Sequence, residues 1–285
     1  MKKTLFRLRK SLFGEPAPRI AAIRLNGVIG PDGKFKQGIN LQNVEPQLKE
    51  AFDMPGIKAV ALIINSPGGS PVQSGLIVDY IRAMAKEKDI PVLAFTEDVA
   101  ASGGYMLALA ADEIYSHTVS IVGSIGVISA GFGFPALLEK LGVERRVYTA
   151  GERKAMLDSF AEEKESDITR LKEIQKDVHH YFKTMVIERR GKRLQSESEH
   201  LFSGDVFTGQ EAVKLGLVDD LGDLRSVIRQ KFGKKANIKW IGDKKQRLSK
   251  LIGLGGVRIT NPMGNLPRDT ISAMEERNFW SRFGL

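Results

Sequence analysis

The chain contains no cysteine and only four histidines, His117, His179, His180 and His200, among its 285 residues. Without Cys there is no disulfide framework, no thiolate metal site and no cysteine nucleophile. None of the histidines stands in a metal-ligand spacing such as HExxH, which argues against a zinc enzyme. Neither a metal nor an organic cofactor is expected. Membrane-spanning runs are lacking as well. Residues 114–138 are free of Asp, Glu, Lys and Arg, but Gly123, Gly126, Gly131, Gly133 and Pro135 interrupt them. That mixture suits short buried strands joined by turns, so no transmembrane helix is expected.

What is abundant is positive charge, with 43 Lys plus Arg against 34 Asp plus Glu and a net charge of +9. The excess sits at the two ends. Residues 1–19 carry six basic residues and one acidic, and residues 234–285 carry eleven and four. The 20–233 stretch is slightly acidic, with 26 basic and 29 acidic residues. A nucleic-acid-binding domain spreads basic residues over an ordered face, so no nucleic-acid partner is expected. The opening MKKTLFRLRKSLFG mixes Leu5, Phe6, Leu8, Leu12 and Phe13 with basic residues. It reads either as a soluble basic tail or as a short amphipathic segment touching an anionic membrane. The expected location is cytoplasmic, with peripheral contact at the inner membrane.

Hydrophobic residues make up 42% of the chain, enough for a core without staples. Strands are expected at Arg19–Leu25, Lys58–Asn65, Pro91–Phe95 and Arg145–Tyr148. Helices are expected at Val72–Lys86, Gly103–Ala111 and Phe134–Leu141, and over a long charged stretch from Glu162 to Arg190. A last helix–turn–strand–helix unit covers Thr208–Phe232. Strands alternating with helices over short connections imply an α/β fold with a mostly parallel sheet covered by helices. The expected division is a basic N-terminal segment at 1–19, one catalytic domain at 20–232 and a flexible basic tail at 233–285.

Two glycine-rich elements follow successive strands. Asn65-Ser66-Pro67-Gly68-Gly69-Ser70 leaves the strand at 58–65, and Ala100-Ala101-Ser102-Gly103-Gly104-Tyr105 enters the helix at 103. The carboxyl ends of parallel strands converge on one crevice. Ser102 then stands at a helix N-terminus, where free N–H groups stabilise an oxyanion. Gly68 and Gly69 can present a further N–H, since glycine tolerates the backbone angles required. Either element alone is only a tight turn; in succession they point to acyl transfer. A serine nucleophile needs a base, and no histidine is well placed to be one. A lysine serves if desolvation depresses its pKa, but composition does not choose among 24 of them.

Together these residues resemble a bacterial signal peptide peptidase of the SppA type, in the wider ClpP/crotonase-like fold. The resemblance covers roughly residues 20–232. It rests on INSPGG at 64–69, AASGGYMLALAAD at 100–112, VGSIGVI at 122–128, YTAGERK at 148–154 and LFSGDVFTGQEAVKLGLVD at 201–219. It implies Ser102 as nucleophile, Lys154 as general base, and Ser124 as the hydroxyl that orients the lysine. It implies the N–H groups of Gly69 and Gly103 as the oxyanion hole, with Gly68 and Gly104 beside the bound substrate. Position 127, where ClpP proteases would carry their histidine, is Val, and no acyl-CoA contacts are evident. The implied activity is serine endopeptidase action on cleaved signal peptides or other short apolar peptides. A ring-shaped homo-oligomer is implied too, in which Ser and Lys of one site come from adjacent subunits. The alternatives are a non-peptidase acyl-thioester enzyme of the same fold and a non-catalytic membrane-associated scaffold.

Overall fold

The computed structural model describes residues 17–32, 37–195, 199–242 and 279–284. The amphipathic opening segment and most of the expected tail therefore lie outside the described residues. The elements in chain order are β1 (Arg19–Asn26), α1 (Leu41–Phe52), β2 (Ile57–Ser66), α2 (Pro71–Lys88), β3 (Val92–Ala101), α3 (Gly103–Ala108), β4 (Glu113–Ser116) and β5 (Ile121–Gly123). They continue with α4 (Pro135–Lys140), α5 (Glu165–Arg190), β6 (Val206–Thr208), α6 (Gly209–Lys214), β7 (Asp220–Leu221), α7 (Leu224–Phe232) and β8 (Asn237–Trp240).

The apolar run KAVALIIN becomes the centre of the sheet. β2 lies between β1 and β3, and the strand order is β6-β5-β3-β2-β1-β8, with β4 beside β3 and β7 beside β4. All pairs are parallel except β5–β6. Alternation along each strand sends successive side chains to opposite faces. Ala21, Ile23, Leu62 and Ile64 pack with Leu48 of α1, Ile77 and Ile81 of α2, Met106 of α3 and Phe182 of α5. Ile20, Ala22, Ala61, Ile63, Leu93 and Phe95 pack on the other face with Val227 and Ile228 of α7. The sheet is thus covered on both sides, as its continuous apolar strands require.

Local chemistry sets the helix ends that matter to the cleft. Ser70 caps α2 through its side chain, which accepts from Gln73 N, and Pro71 at the first position is pre-set for a helix. α5 is anchored at its far end. The Arg190 side chain is 1% exposed and holds both Asp219 carboxylate oxygens, at 2.8 and 3.1 Å, while its Nε donates to Gly216 O at 2.8 Å. Asp219 Oδ2 also accepts from Ile114 N at 2.7 Å, which ties the helix to β4. Breaking a buried pair leaves a buried charge uncompensated. Arg190→Met is therefore expected to lower the unfolding free energy by about 3–5 kcal/mol in urea denaturation. A loss under about 1 kcal/mol would contradict a structural role for the pair.

Three expectations change. Arg145–Tyr148 is not a strand: it is exposed, unpaired coil within a projecting arm, residues 127–164, because no neighbouring strand is there to pair with it. The helix expected to reach Ala111 ends at Ala108. The ordered sheet also runs past Phe232, since β8 pairs in parallel with β1 over Arg19–Ala22. Among the described residues no helix is long and apolar enough to cross a membrane.

Candidate active site

Three neighbouring parallel strands, β2, β3 and β5, end side by side, and each hands its chain to a glycine- or serine-rich turn. Ser102 makes the switch from strand to helix in one residue. Its N–H still pairs with Gly123 O across to β5 at 2.8 Å. Its carbonyl already accepts from Tyr105 N and Met106 N at 2.9 and 3.0 Å, opening α3. Serving both elements forces φ 52° and ψ −123° on Ser102, a left-handed conformation that costs a non-glycine residue about 1–3 kcal/mol. Such strain persists only where the surroundings over-determine it, and here it lifts the hydroxyl into a cleft.

The two glycine motifs pack directly on one another. A Cβ on Gly68 would stand 2.8 Å from Ser102 Cβ, and one on Gly103 would stand 3.4 Å from Gly69 N. Gly69, at φ +138°, is pinned beside Ile29: Ile29 N donates to Gly68 O and Ser70 N donates to Ile29 O, both at 2.8 Å. Among the described residues, that pairing leaves the Gly69 N–H without an acceptor. The Gly103 N–H is the first of its helix and has no intrahelical acceptor. Two adjacent backbone donors beside a serine hydroxyl can hold a tetrahedral oxyanion.

Ser124 follows β5 as Ser102 follows β3. It is 8% exposed, has φ 52°, and donates its N–H to Asp205 O at 2.6 Å. Ser102, Gly103, Gly69 and Ser124 line one cleft of about 410 Å³, walled by Met106 of α3, Val127, Ile128, and Val178 and Phe182 of α5. An apolar groove between α2 and α5 shares Pro71, Val178 and Tyr181 with it. Burial is the main cause that raises the Tyr181 phenol above its usual pKa, aided by the Asp79 carboxylate, so the phenol remains a neutral donor.

Of the residues read from the sequence, Ser102, Ser124, Gly69 and Gly103 come together. Gly68 backs Ser102 without lining the cleft. Gly104 is buried where a Cβ would strike the Ser66 carbonyl, so its role is close packing of α3 on β2 rather than contact with substrate. Lys154 does not join them: it is exposed on the arm, in a turn where its N–H meets Gly151 O at 3.1 Å. The arm folds on itself through Phe134 and Phe160, 5.5 Å apart, and an Arg145–Asp158 ion pair of 2.6 Å. The α5 wall carried a signal in the helical spacing of Val178, Phe182 and Met185. The C-terminal residues Phe279 and Arg282, which also line the cleft, carried none. None of the four histidines lines it. Among the described residues no cluster of His, Asp and Glu is arranged to hold a metal ion.

Comparison with known proteins fits this geometry. Residues 84–239 match the model of Peptidase family S49. The chain is 46% identical over 287 residues to a Brucella abortus protein named Na(+)/H(+) antiporter NhaA, covering 99% of this chain and 39% of that protein. It is 33% identical over 213 residues to an Enterococcus faecium protein named after signal peptide peptidase SppA, covering 73% of this chain and 61% of that one. It is 32% identical over 260 residues to the chloroplastic serine protease SPPA of Arabidopsis thaliana, covering 87% and 36%. The chain thus spans between 36% and 61% of the length of these curated relatives. Among solved structures, the 1510-N membrane-bound stomatin-specific protease, a single-residue mutant in complex with a substrate peptide, superposes with a TM-score of 0.52 at 14% identity, covering 84% of this chain and 99% of that one. The ClpP/crotonase-like α/β fold expected from the sequence is the fold observed.

Proposed function

The chain belongs to peptidase family S49, and from that premise we propose that it is a serine endopeptidase acting through a Ser102–Lys154 dyad on short apolar peptides, cleaved signal peptides among them. The observation that carries the reading is the strained Ser102, held at the mouth of α3 between two unused backbone N–H groups. Ser102 Oγ attacks the scissile carbonyl carbon, and its proton passes to Lys154 Nζ. The oxyanion is held by the N–H groups of Gly69 and Gly103, and Ser124 orients the amine. Collapse breaks the C–N bond, the leaving amine takes the proton from Lys154, and water then hydrolyses the acyl-enzyme.

Lys154 reaches Ser102 in this reading from a second copy. Its arm is exposed and carries Phe132, Leu141, Val143 and Tyr148 outward, and unpartnered apolar side chains of this kind mark an interface. Burying the arm against a neighbour's cleft is also what would desolvate the lysine amine into a base. A contact running from the arm of one copy to the cleft of the next is head-to-tail, and repeated rotation closes it into a ring.

Wild type, Ser102→Ala and Lys154→Ala, assayed on a fluorogenic peptide with an apolar cleavage site, test the dyad. Both variants are expected to be inactive, and full activity in either overturns it.

A further inference from the structure

The last described residues fold back onto the cleft that holds the serine. Phe279 and Arg282 line it together with Ser102, Gly103 and Ser124. They are three positions apart on a helical turn, so they share a face, and that face is turned to the cleft. Phe279 is partly buried there, whereas Arg282 is exposed. The match is chemical as well as geometric. The wall offers Met106, Val178 and Phe182, and the segment Phe279-Trp280-Ser281-Arg282-Phe283 offers three aromatic rings and no carboxylate.

We propose that this C-terminal turn is a resident ligand of the cleft, occupying it in a form the serine cannot cleave and competing with incoming peptide. The inference rests on the peptide-binding reading of the same site. The backbone explains the resistance to cleavage. Two carbonyls of the turn are engaged within it: Trp280 O accepts from Phe283 N at 2.9 Å and Ser281 O from Gly284 N at 3.1 Å. A peptide bound for hydrolysis must instead present an extended backbone, with its scissile carbonyl free to accept from the oxyanion donors. The turn therefore lines the cleft with a coiled backbone whose Trp280 and Ser281 carbonyls are already taken, not with an extended strand. Because it is tethered to the chain, it acts at an effective concentration that a free peptide must exceed. The cleft so becomes selective for ligands that pair apolar bulk with extended backbone and bind well enough to displace the turn.

The test reads binding, not turnover. A fluorescent synthetic peptide of residues 278–285 is titrated by anisotropy into two full-length chains that both carry Ser102→Ala. One keeps Phe279 and Arg282, and the other also carries Phe279→Ala and Arg282→Ala. Vacating the cleft is expected to tighten peptide binding by about tenfold or more. A peptide with both alanines is expected to bind neither chain. Equal affinity for the two chains, or no binding to the vacated one, overturns the proposal. In chains that retain Ser102, the same pair of substitutions is expected to lower KM for an apolar peptide. A chain inactive on every peptide that still shows the binding difference would overturn the peptidase reading while leaving this one standing.

Discussion

Mixing Ser102→Ala chains with Lys154→Ala chains, each inactive alone, is expected to restore about a quarter of wild-type peptidase activity once subunits exchange. Each variant by itself removes a member of a unit that works only as a whole, a loss on the order of ten-thousand-fold or more in kcat. Recovery follows from where the two residues lie. Ser102 is in the cleft, whereas Lys154 is exposed on the arm. A site built between copies is whole only where an intact Ser102 meets an intact Lys154 from the neighbour. In a random equal mixture that happens at about one junction in four. If both residues of a site came from the same chain, every chain in the mixture would stay broken and no activity would return. The measurement is the initial rate on the fluorogenic peptide after mild denaturation and joint refolding, against each variant refolded alone.

The second large effect is expected at Gly69. An added Cβ there would strike the Ile29 carbonyl, and φ +138° is a conformation that side-chain-bearing residues avoid. Both faults act on the amide proposed as one of the two oxyanion donors. Gly69→Ala is expected to lower kcat by about 10²–10³-fold, the effect of losing one oxyanion donor. It should also cost stability by about 1–3 kcal/mol through strain. Gly103 is a useful contrast, because the first obstacle to a Cβ there is the Ser74 hydroxyl, at 2.6 Å. Gly103→Ala is expected to recover in part when combined with Ser74→Ala. No second substitution rescues Gly69, whose obstacle is backbone. Equal activity of Gly69→Ala and wild type would remove this amide from the oxyanion hole.

How far these features could be read in the sequence depended on whether one strand or motif carried its own reason. The run at 58–65 is apolar on both faces, and it became β2 within a residue at each end. β3 was expected to end at Phe95, where the apolar run gives way to Thr96, Glu97 and Asp98. The strand continues because those polar groups are tied locally. Glu97 pairs with Arg24 at 2.7 Å, Asp98 accepts from Asn65 Nδ2 at 2.7 Å, and Thr96 donates to Ser116 Oγ at 2.8 Å. α1 went unread although Val44, Leu48, Ala51 and Phe52 repeat at helical spacing. β8 could not have been found by pattern. Its side chains are mostly exposed, and it is held by backbone bonds, Asn237 N to Pro18 O and Ile241 N to Ala22 O. The candidate site divides the same way. Ser102, Gly69 and Gly103 could be placed at one cleft because each sits at a strand end within a short motif, whereas Ser124 was implied by the resemblance alone. The separation of Lys154 from them was implied by the family resemblance alone, because a motif fixes residue type and not which copy supplies the neighbour.

The antiparallel pair β5–β6 has a consequence for synthesis. Gly123 both accepts from Ser102 N and pairs with Val206, and the next residue, Ser124, is held by the Asp205 carbonyl. The shelf under the reactive serine is therefore closed by a segment made about a hundred residues later, a contact of long sequence separation that forms late in folding. A ribosome-bound chain exposes Ser102 well before Val206 emerges, and during that interval the hydroxyl lacks the frame that aims it. In the proposed peptidase, a growing chain therefore has no assembled frame around Ser102 until nearly all of its sheet has been synthesised.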